Sequence, residues 1–199
     1  MLNFFKKSTS QWKVYKDGLK AKNKFLYYAA DFVETVVVAL AIALVVKQFI
    51  IQVSVVPTGS MIPTLIGGDP SIPNERLFVN KFIYDFTAPK RGDIVVFKSP
   101  HGDKKDYVKR CIGLPGDTIE IKRGFVFING KELVLSGVDV QHDYDTFGPV
   151  TVPEDSYFML GDNRAHSMDS RYWGYVTSDD LIGKALFTIW PLTRVRWLK

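Results

Sequence analysis

Asp106-Tyr107-Val108-Lys109-Arg110-Cys111-Ile112-Gly113-Leu114-Pro115-Gly116-Asp117 is an apolar, β-rich run closed by a Pro-Gly turn. It reads as a strand over Tyr107 to Ile112, because β-branched and aromatic side chains fit a pleated surface and the Leu114 to Asp117 tetrapeptide breaks it. Period-two alternation puts Tyr107, Lys109 and Cys111 on one face and Val108, Arg110 and Ile112 on the other. Similar runs lie on both sides: Arg76 to Phe82, Asp93 to Lys98, Thr118 to Ile121, Phe125 to Ile128 and Tyr157 to Leu160. Pro89-Lys90-Arg91-Gly92 and Asn129-Gly130 punctuate them, the second being a strong hairpin signal before Lys131-Glu132-Leu133. The chain after residue 55 is therefore read as mainly β. The stretch 118–156 holds the hairpin and an acidic, turn-rich segment, and reads as a small inserted β subdomain that divides the main β domain into 55–117 and 157–199.

The N-terminal quarter is of another kind. From about Phe32 to Ile51 the sequence is apolar, interrupted by Glu34 and Lys47 near its ends, where long side chains reach an interface. Roughly 20 residues at about 1.5 Å each span a hydrocarbon core of about 30 Å. A cleaved leader would have a shorter apolar stretch with a small-x-small site after it. Here Ala39, Ala41 and Ala43 lie inside the run, so residues 32–54 are read as a retained transmembrane anchor rather than a leader or a core helix. The net charge of +5 is located before it. Lys6, Lys7, Lys13, Lys16, Lys20, Lys22 and Lys24 against Asp17 and Asp31 account for the whole excess, so residues 1–31 read as a basic cytoplasmic tail. A nucleic-acid binder needs its basic patch on the folded domain, and that class is set aside.

Three constellations could carry chemistry. In Pro57-Thr58-Gly59-Ser60-Met61-Ile62-Pro63-Thr64-Leu65 the prolines restrict the backbone and Gly59 relaxes it, so Ser60 can be held exposed with its amide free; an ordinary turn is the plain alternative. Lys109 shares a mostly apolar strand face. A lysine titrates near pH 10.4 in water, whereas burial lowers that by about 3 to 5 units, enough to make a base. The alternative is a solvated lysine at a strand edge. Arg110 stays protonated and cannot be that base. The third stretch, Gly161-Asp162-Asn163-Arg164-Ala165-His166-Ser167-Met168-Asp169-Ser170-Arg171-Tyr172-Trp173-Gly174, is a loop dense in polar groups that must satisfy one another if buried. His166 leaves open a conventional Ser-His-Asp triad. Cys111 is the single cysteine, so no intrachain disulfide forms, and it reads as packing before nucleophile. His101, His142 and His166 have no metal-ligand spacing, so no metal and no cofactor is expected.

These segments, joined by Lys90-Arg91-Gly92-Asp93-Ile94-Val95-Val96-Phe97, together resemble the bacterial type I signal peptidases, membrane-bound Ser-Lys proteases that remove signal peptides from exported proteins. Thr58 stands where serine is usual in that family. The resemblance implies a mainly β fold, an antiparallel β-sheet catalytic domain with a small inserted β subdomain, preceded by one N-terminal transmembrane helix. It implies Ser60 as nucleophile and Lys109 as general base, with the Ser60 amide and the Thr58 hydroxyl as oxyanion hole. Ser167 would orient the lysine amine, and Asp169 and Arg171 would pair to support the loop. The implied partners are signal peptides of secreted preproteins, cut after small residues in an Ala-x-Ala pattern, with the lipid bilayer and the neighbourhood of the secretion translocon. The implied location is the inner (plasma) membrane, single-pass, with the N-terminus cytoplasmic and the catalytic domain outside. About ten residues separate the anchor from Ser60, a reach of no more than about 35 Å. Ile62, Leu65 and Phe82 are candidates for lipid contact. A self-cleaving Ser-Lys repressor would carry a DNA-binding domain instead of an anchor, and a catalytically dead scaffold would have lost one of Ser60, Lys109 and Ser167.

Overall fold

The computed structural model describes residues 12–18, 20 and 23–198. The chain divides into two compact units, residues 1–48 and 49–199. In the first, helix α1 (Lys24–Phe49) is long and apolar enough to cross a membrane, and Phe32, Val37, Leu40, Ile42, Leu44 and Val45 on it are exposed. Such a helix, apolar all round and uncovered, needs an apolar surrounding. Residues 12–18 are also helical, and Lys16 pairs with Asp31 at 2.8 Å and Glu34 at 2.5 Å, so these two acids are neutralised near the helix start. The remaining part of the expected basic tail, residues 1–11, 19, 21 and 22, lies outside the described residues.

The helix ends before the anchor boundary expected at residue 54. Residues Ile51–Val55 form strand β1 instead, with Ser54 buried and Val53 and Val55 exposed, a period-two pattern that a helix would not keep. The other strands are β2 (Arg76–Asn80), β3 (Ile94–Lys98), β4 (Asp106–Gly113), β5 (Thr118–Lys122), β6 (Phe125–Ile128), β7 (Lys131–Glu132), β8 (Phe147–Thr151), β9 (Ser156–Leu160), β10 (Val176–Thr177), β11 (Leu181–Trp190) and β12 (Arg196–Trp197). A four-residue helix, α2 (Ser170–Trp173), lies between β9 and β10. One sheet of eight strands runs β1-β2-β11-β3-β4-β9-β10, with β12 on β11; a second of four runs β7-β6-β5-β8. All their pairings are antiparallel. The fold class read from the sequence is the one observed.

The Asn129-Gly130 step turns β6 into β7 with φ of 52° and 78°, the left-handed pair that a two-residue hairpin requires. The second sheet, formed within 118–156, does not carry a private core. Ile119, Ile121, Val126 and Ile128 pack with Ile112, Phe158 and Leu160 of the first sheet in one buried cluster. A second cluster joins Val56, Met61 and Leu65 to Leu77, Val79, Ile94, Val96 and Val108. Leu65 is therefore core and has no surface to offer lipid, because the 3-10 turn at Gly59–Met61 folds the segment inward. Phe82 is half exposed and packs on Phe86 in a tilted arrangement, 4.5 Å between centroids.

Because Phe158 sits between the sheets, Phe158→Ala should cost about 3–5 kcal/mol. Denaturant unfolding of the full chain followed by near- and far-UV circular dichroism should show both sheets lost in one earlier transition, and two separated transitions would contradict the shared core.

Candidate functional site

Strand order places the three chemical segments together. β4 lies between β3 and β9, with Val95 opposite Lys109 and Leu160 opposite Arg110. The loop after β9 thus begins beside the lysine strand. The serine segment follows β1, which continues from the sheet edge through a Val56 N–H bond to the Glu75 carbonyl. Three bonds then bring it to the loop: Asn163 N–H donates to the Ser60 carbonyl at 3.1 Å, Asn163 Nδ2 donates to the Gly59 carbonyl at 3.1 Å, and Thr64 Oγ1 donates to Asp162 Oδ2 at 2.5 Å.

Arg110 locks this junction. Its Nε and Nη2 donate to the two Asp162 oxygens at 2.8 and 2.6 Å, and Nη1 donates to the Gly92 carbonyl at 2.7 Å. Both side chains of the pair are fully buried. A bidentate guanidinium–carboxylate pair is directional, so it fixes orientation as well as proximity. Sequence reasoning missed Arg110, Asp162, Asn163 and Thr64 as builders of the site. A signal was available for the first: an arginine sharing a strand face with Val108 and Ile112 is buried, and a buried guanidinium needs a carboxylate.

At the centre, Lys109 Nζ lies 2.6 Å from Ser60 Oγ. Ser60 is 7% exposed and Lys109 4%. Loss of solvent brings the Lys109 pKa down to about 8, opposed in part by the negative charges of Asp169 and Asp162. Neither acid is bonded to the amine; Asp162 is taken by Arg110 and Asp169 by Arg171. When protonated the amine donates to Ser60 Oγ. When neutral it accepts from the hydroxyl, the arrangement in which it can remove that proton. Thr58 Oγ1 is 3.2 Å from Ser60 Oγ, in extended backbone at the edge of the same site.

Ser167 is buried with its Oγ close to the Ser60 carbonyl, but that Oγ has no hydrogen-bond partner, so the expected bond to the lysine amine is not formed here. Gly161 explains the crowding: a Cβ there would collide with Ser167 Oγ and the Ser60 carbonyl, so only glycine lets these strands of chain approach. Asp169 and Arg171 do pair, at 2.9 Å from Nε to Oδ1. Asp169 also accepts from the Gly161 amide at 3.1 Å and caps α2 through the Arg171 amide. Arg171 further reaches Asp143 at 2.5 Å and donates to the Arg164 carbonyl at 2.6 Å, so the acidic segment of the second sheet anchors the loop.

The pair opens into a cleft of about 510 Å³ lined by Val56, Met61, Tyr107, Val108, His166 and Met168 among others. His166 is exposed at its rim and has no side-chain bond to Ser60. Cys111 is fully buried among Val95, Phe97 and Met159, with burial pushing its thiol up to about 12, so it packs. Among the described residues no group of three or more His, Cys, Asp or Glu is placed to hold a metal ion.

Comparison with known proteins gives a consistent result. A model of the family described as signal peptidase, peptidase S26, matches residues 29–190. Signal peptidase I of Leptolyngbya laminosa is 38% identical over 170 residues, covering 82% of this chain and 80% of its own. Probable signal peptidase I-2 of Synechocystis sp. (strain ATCC 27184 / PCC 6803 / Kazusa) is 40% identical over 167 residues, covering 81% and 73%. Signal peptidase I T of Bacillus subtilis (strain 168) is 37% identical over 197 residues, covering 92% and 95%.

A lowered lysine pKa has a stability consequence. Below about pH 8 the folded protein must hold a buried ammonium, which disfavours folding by about 3 kcal/mol relative to a solvated lysine. The deficit fades as pH rises from there through the unfolded value of about 10.4, because over that window the unfolded chain binds more protons. Lys109→Met should therefore be more stable than the parent at pH 7, with the difference shrinking above pH 8 in denaturant titrations. A gain independent of pH would contradict the buried amine. Asp162→Ala, which strands the Arg110 guanidinium, should instead lose about 3–5 kcal/mol.

Proposed function

The chain belongs to the signal peptidase family, peptidase S26, and from that premise we propose that it is a membrane-anchored serine endopeptidase in which Ser60 attacks and Lys109 is the base. The observation that carries this reading is the 2.6 Å approach of a buried, largely desolvated amine to a serine hydroxyl. With a pKa of about 8, roughly a tenth of Lys109 is neutral at pH 7. The neutral amine takes the Ser60 proton as Oγ bonds to the scissile carbonyl carbon. The tetrahedral oxyanion is then held by the Ser60 amide and the Thr58 hydroxyl, one such donor being worth about 3 to 4 kcal/mol. The lysine ammonium returns its proton to the leaving amine as the C–N bond breaks. Water, deprotonated by the same amine, releases the acyl group from Ser60. In this reading Ser167, buried near the Ser60 carbonyl, turns its hydroxyl to the amine as the reaction proceeds, and Asp169 with Arg171 holds the loop that carries it.

The substrates in this reading are preproteins bound extended along the cleft, with small side chains at the first and third positions before the cut. Their signal peptides share the bilayer with α1, which favours cleavage at the membrane edge close to the secretion translocon. The lysine excess before α1 supports an N-terminus in the cytoplasm and a catalytic unit outside the inner membrane.

Cleavage of a preprotein with an Ala-x-Ala site by the full chain in detergent should fall by at least about 10³-fold in Ser60→Ala and in Lys109→Met. Activity should rise with pH through about 8 as Lys109 deprotonates, and the same profile should persist in His166→Ala. Turnover surviving in Lys109→Met, or a profile that moves with His166, would overturn the assignment.

A further inference from the structure

Two strand edges of the first sheet are left without a neighbour and confront each other across the Ser60–Lys109 cleft. β1 pairs with β2 alone, and Asp106 to Lys109 of β4 pair with β3 alone, because β9 joins β4 only from Arg110 onward. Each therefore keeps one side of its backbone unpaired. The cleft takes Val56 and Thr58 from the first wall and Asp106, Tyr107 and Val108 from the second.

Two side-chain bonds cross from wall to wall. One is the approach of Lys109 Nζ to Ser60 Oγ at 2.6 Å. In the other, Gln52 Nε2 donates to Asp106 Oδ2 at 2.7 Å, and it also donates to Ser54 Oγ at 3.2 Å. Asp106 precedes Lys109 by three residues, about 10 Å along an extended strand, and Gln52 likewise precedes Ser60. Dyad and crossing bond thus stand at opposite ends of one groove. Between them Ser54, Val56 and Val108 are buried, and the two valines share a core cluster. A peptide extended from the dyad covers about 3.3 Å per residue, so its third residue lies over the valines and its fourth or fifth reaches the crossing bond.

Asp106 is exposed and Gln52 half-buried, so this bond adds little to stability. Its consequence is geometrical. β1 has no neighbour on the cleft side, and a hydrogen bond to a carboxylate is shorter and stronger than one between neutral groups. We propose that Gln52 and Asp106 are positioning residues whose bond fixes the width of the substrate groove, holding the edge of β1 against β4 so that only a small side chain fits over Val56 and Val108. This role rests on the protease reading, and it places control of the third residue before the cut in a bond about 10 Å from the dyad.

The test uses the full chain in a nonionic detergent with two preproteins that differ at that third position, Ala in one and Leu in the other. Gln52→Leu stays close in volume and removes the donor, whereas Gln52→Glu sets a second carboxylate against Asp106. In both, KM for the Ala substrate should rise at least about threefold while kcat changes less than about twofold, and the preference for Ala over Leu in kcat/KM should fall at least about fivefold. Adding Asp106→Asn to Gln52→Glu lets the new amide donate to the new carboxylate, and should bring the preference back to within about twofold of the parent. Thermal transitions should stay where they are, since a merely structural bond would move them and leave the preference alone. Should a change at Gln52 prevent folding, Asp106→Leu, at an exposed position, should give the same loss of preference. A second readout is fluorescence anisotropy of labelled peptides carrying the two cleavage sites, bound to the chain with Ser60→Ala. Affinities that follow the Gln52–Asp106 bond, with no Ser60-dependent cleavage by the parent, would uphold the groove and sink the protease reading. Cleavage by the parent with a preference indifferent to Gln52, no recovery in the double variant, or no binding of either peptide would overturn the proposal.

Discussion

The buried ion pair between Arg110 and Asp162 is the contact on which the site depends. Arg110 belongs to β4 and Asp162 to the loop leaving β9, and Thr64 of the serine segment bonds the same carboxylate. One fully desolvated pair therefore joins the three parts of the chain that carry Lys109, Ser167 and Ser60. A guanidinium with both Nε and Nη2 engaged cannot swing, and its neighbour along β4 inherits that rigidity. Replacing such a pair by apolar groups need not cost stability, but apolar groups would not dictate an orientation. What the pair supplies is register between segments about 50 to 100 residues apart.

The charges near the site are sorted with the same consequence. Each nearby acid is given to an arginine: Asp162 to Arg110, Asp169 and Asp143 to Arg171. Lys109 is left with a hydroxyl as its contact at 2.6 Å and with acids felt only through space. Had either carboxylate bonded the amine directly, its charge would have favoured the ammonium and removed the base. Arginine rather than lysine in the two pairing roles matters for the same reason, since arginine keeps its proton and cannot compete as a base.

The second sheet takes part in this. It shares a buried cluster with the first, and its acidic segment holds Arg171 through Asp143. In the sequence that segment reads as an acidic, turn-rich part of an inserted β subdomain, with no strand assigned in it. Its β8, Phe147–Thr151, contains Gly148 and Pro149 and has no alternation to betray a strand. β11, the longest strand, was likewise unread, because Gly183, Lys184 and Ala185 are weak β formers. It exists because β2 and β3 flank it on both sides.

From its letters alone this chain declares an apolar helix long enough for a bilayer, a β domain punctuated by Pro and Gly, an Asn-Gly hairpin, and a serine and a lysine in settings suited to chemistry. All of these are local properties, set by composition and period over a dozen residues. Folding alone decided that β1 takes residues assigned to the anchor, that Leu65 goes to the core and that Arg110 pairs with Asp162. It also decided that the Ser167 hydroxyl is buried close to the Ser60 carbonyl without a hydrogen-bond partner. Such facts turn on strand order and on which buried charge meets which, and contacts between residues far apart in sequence leave no periodic trace in it.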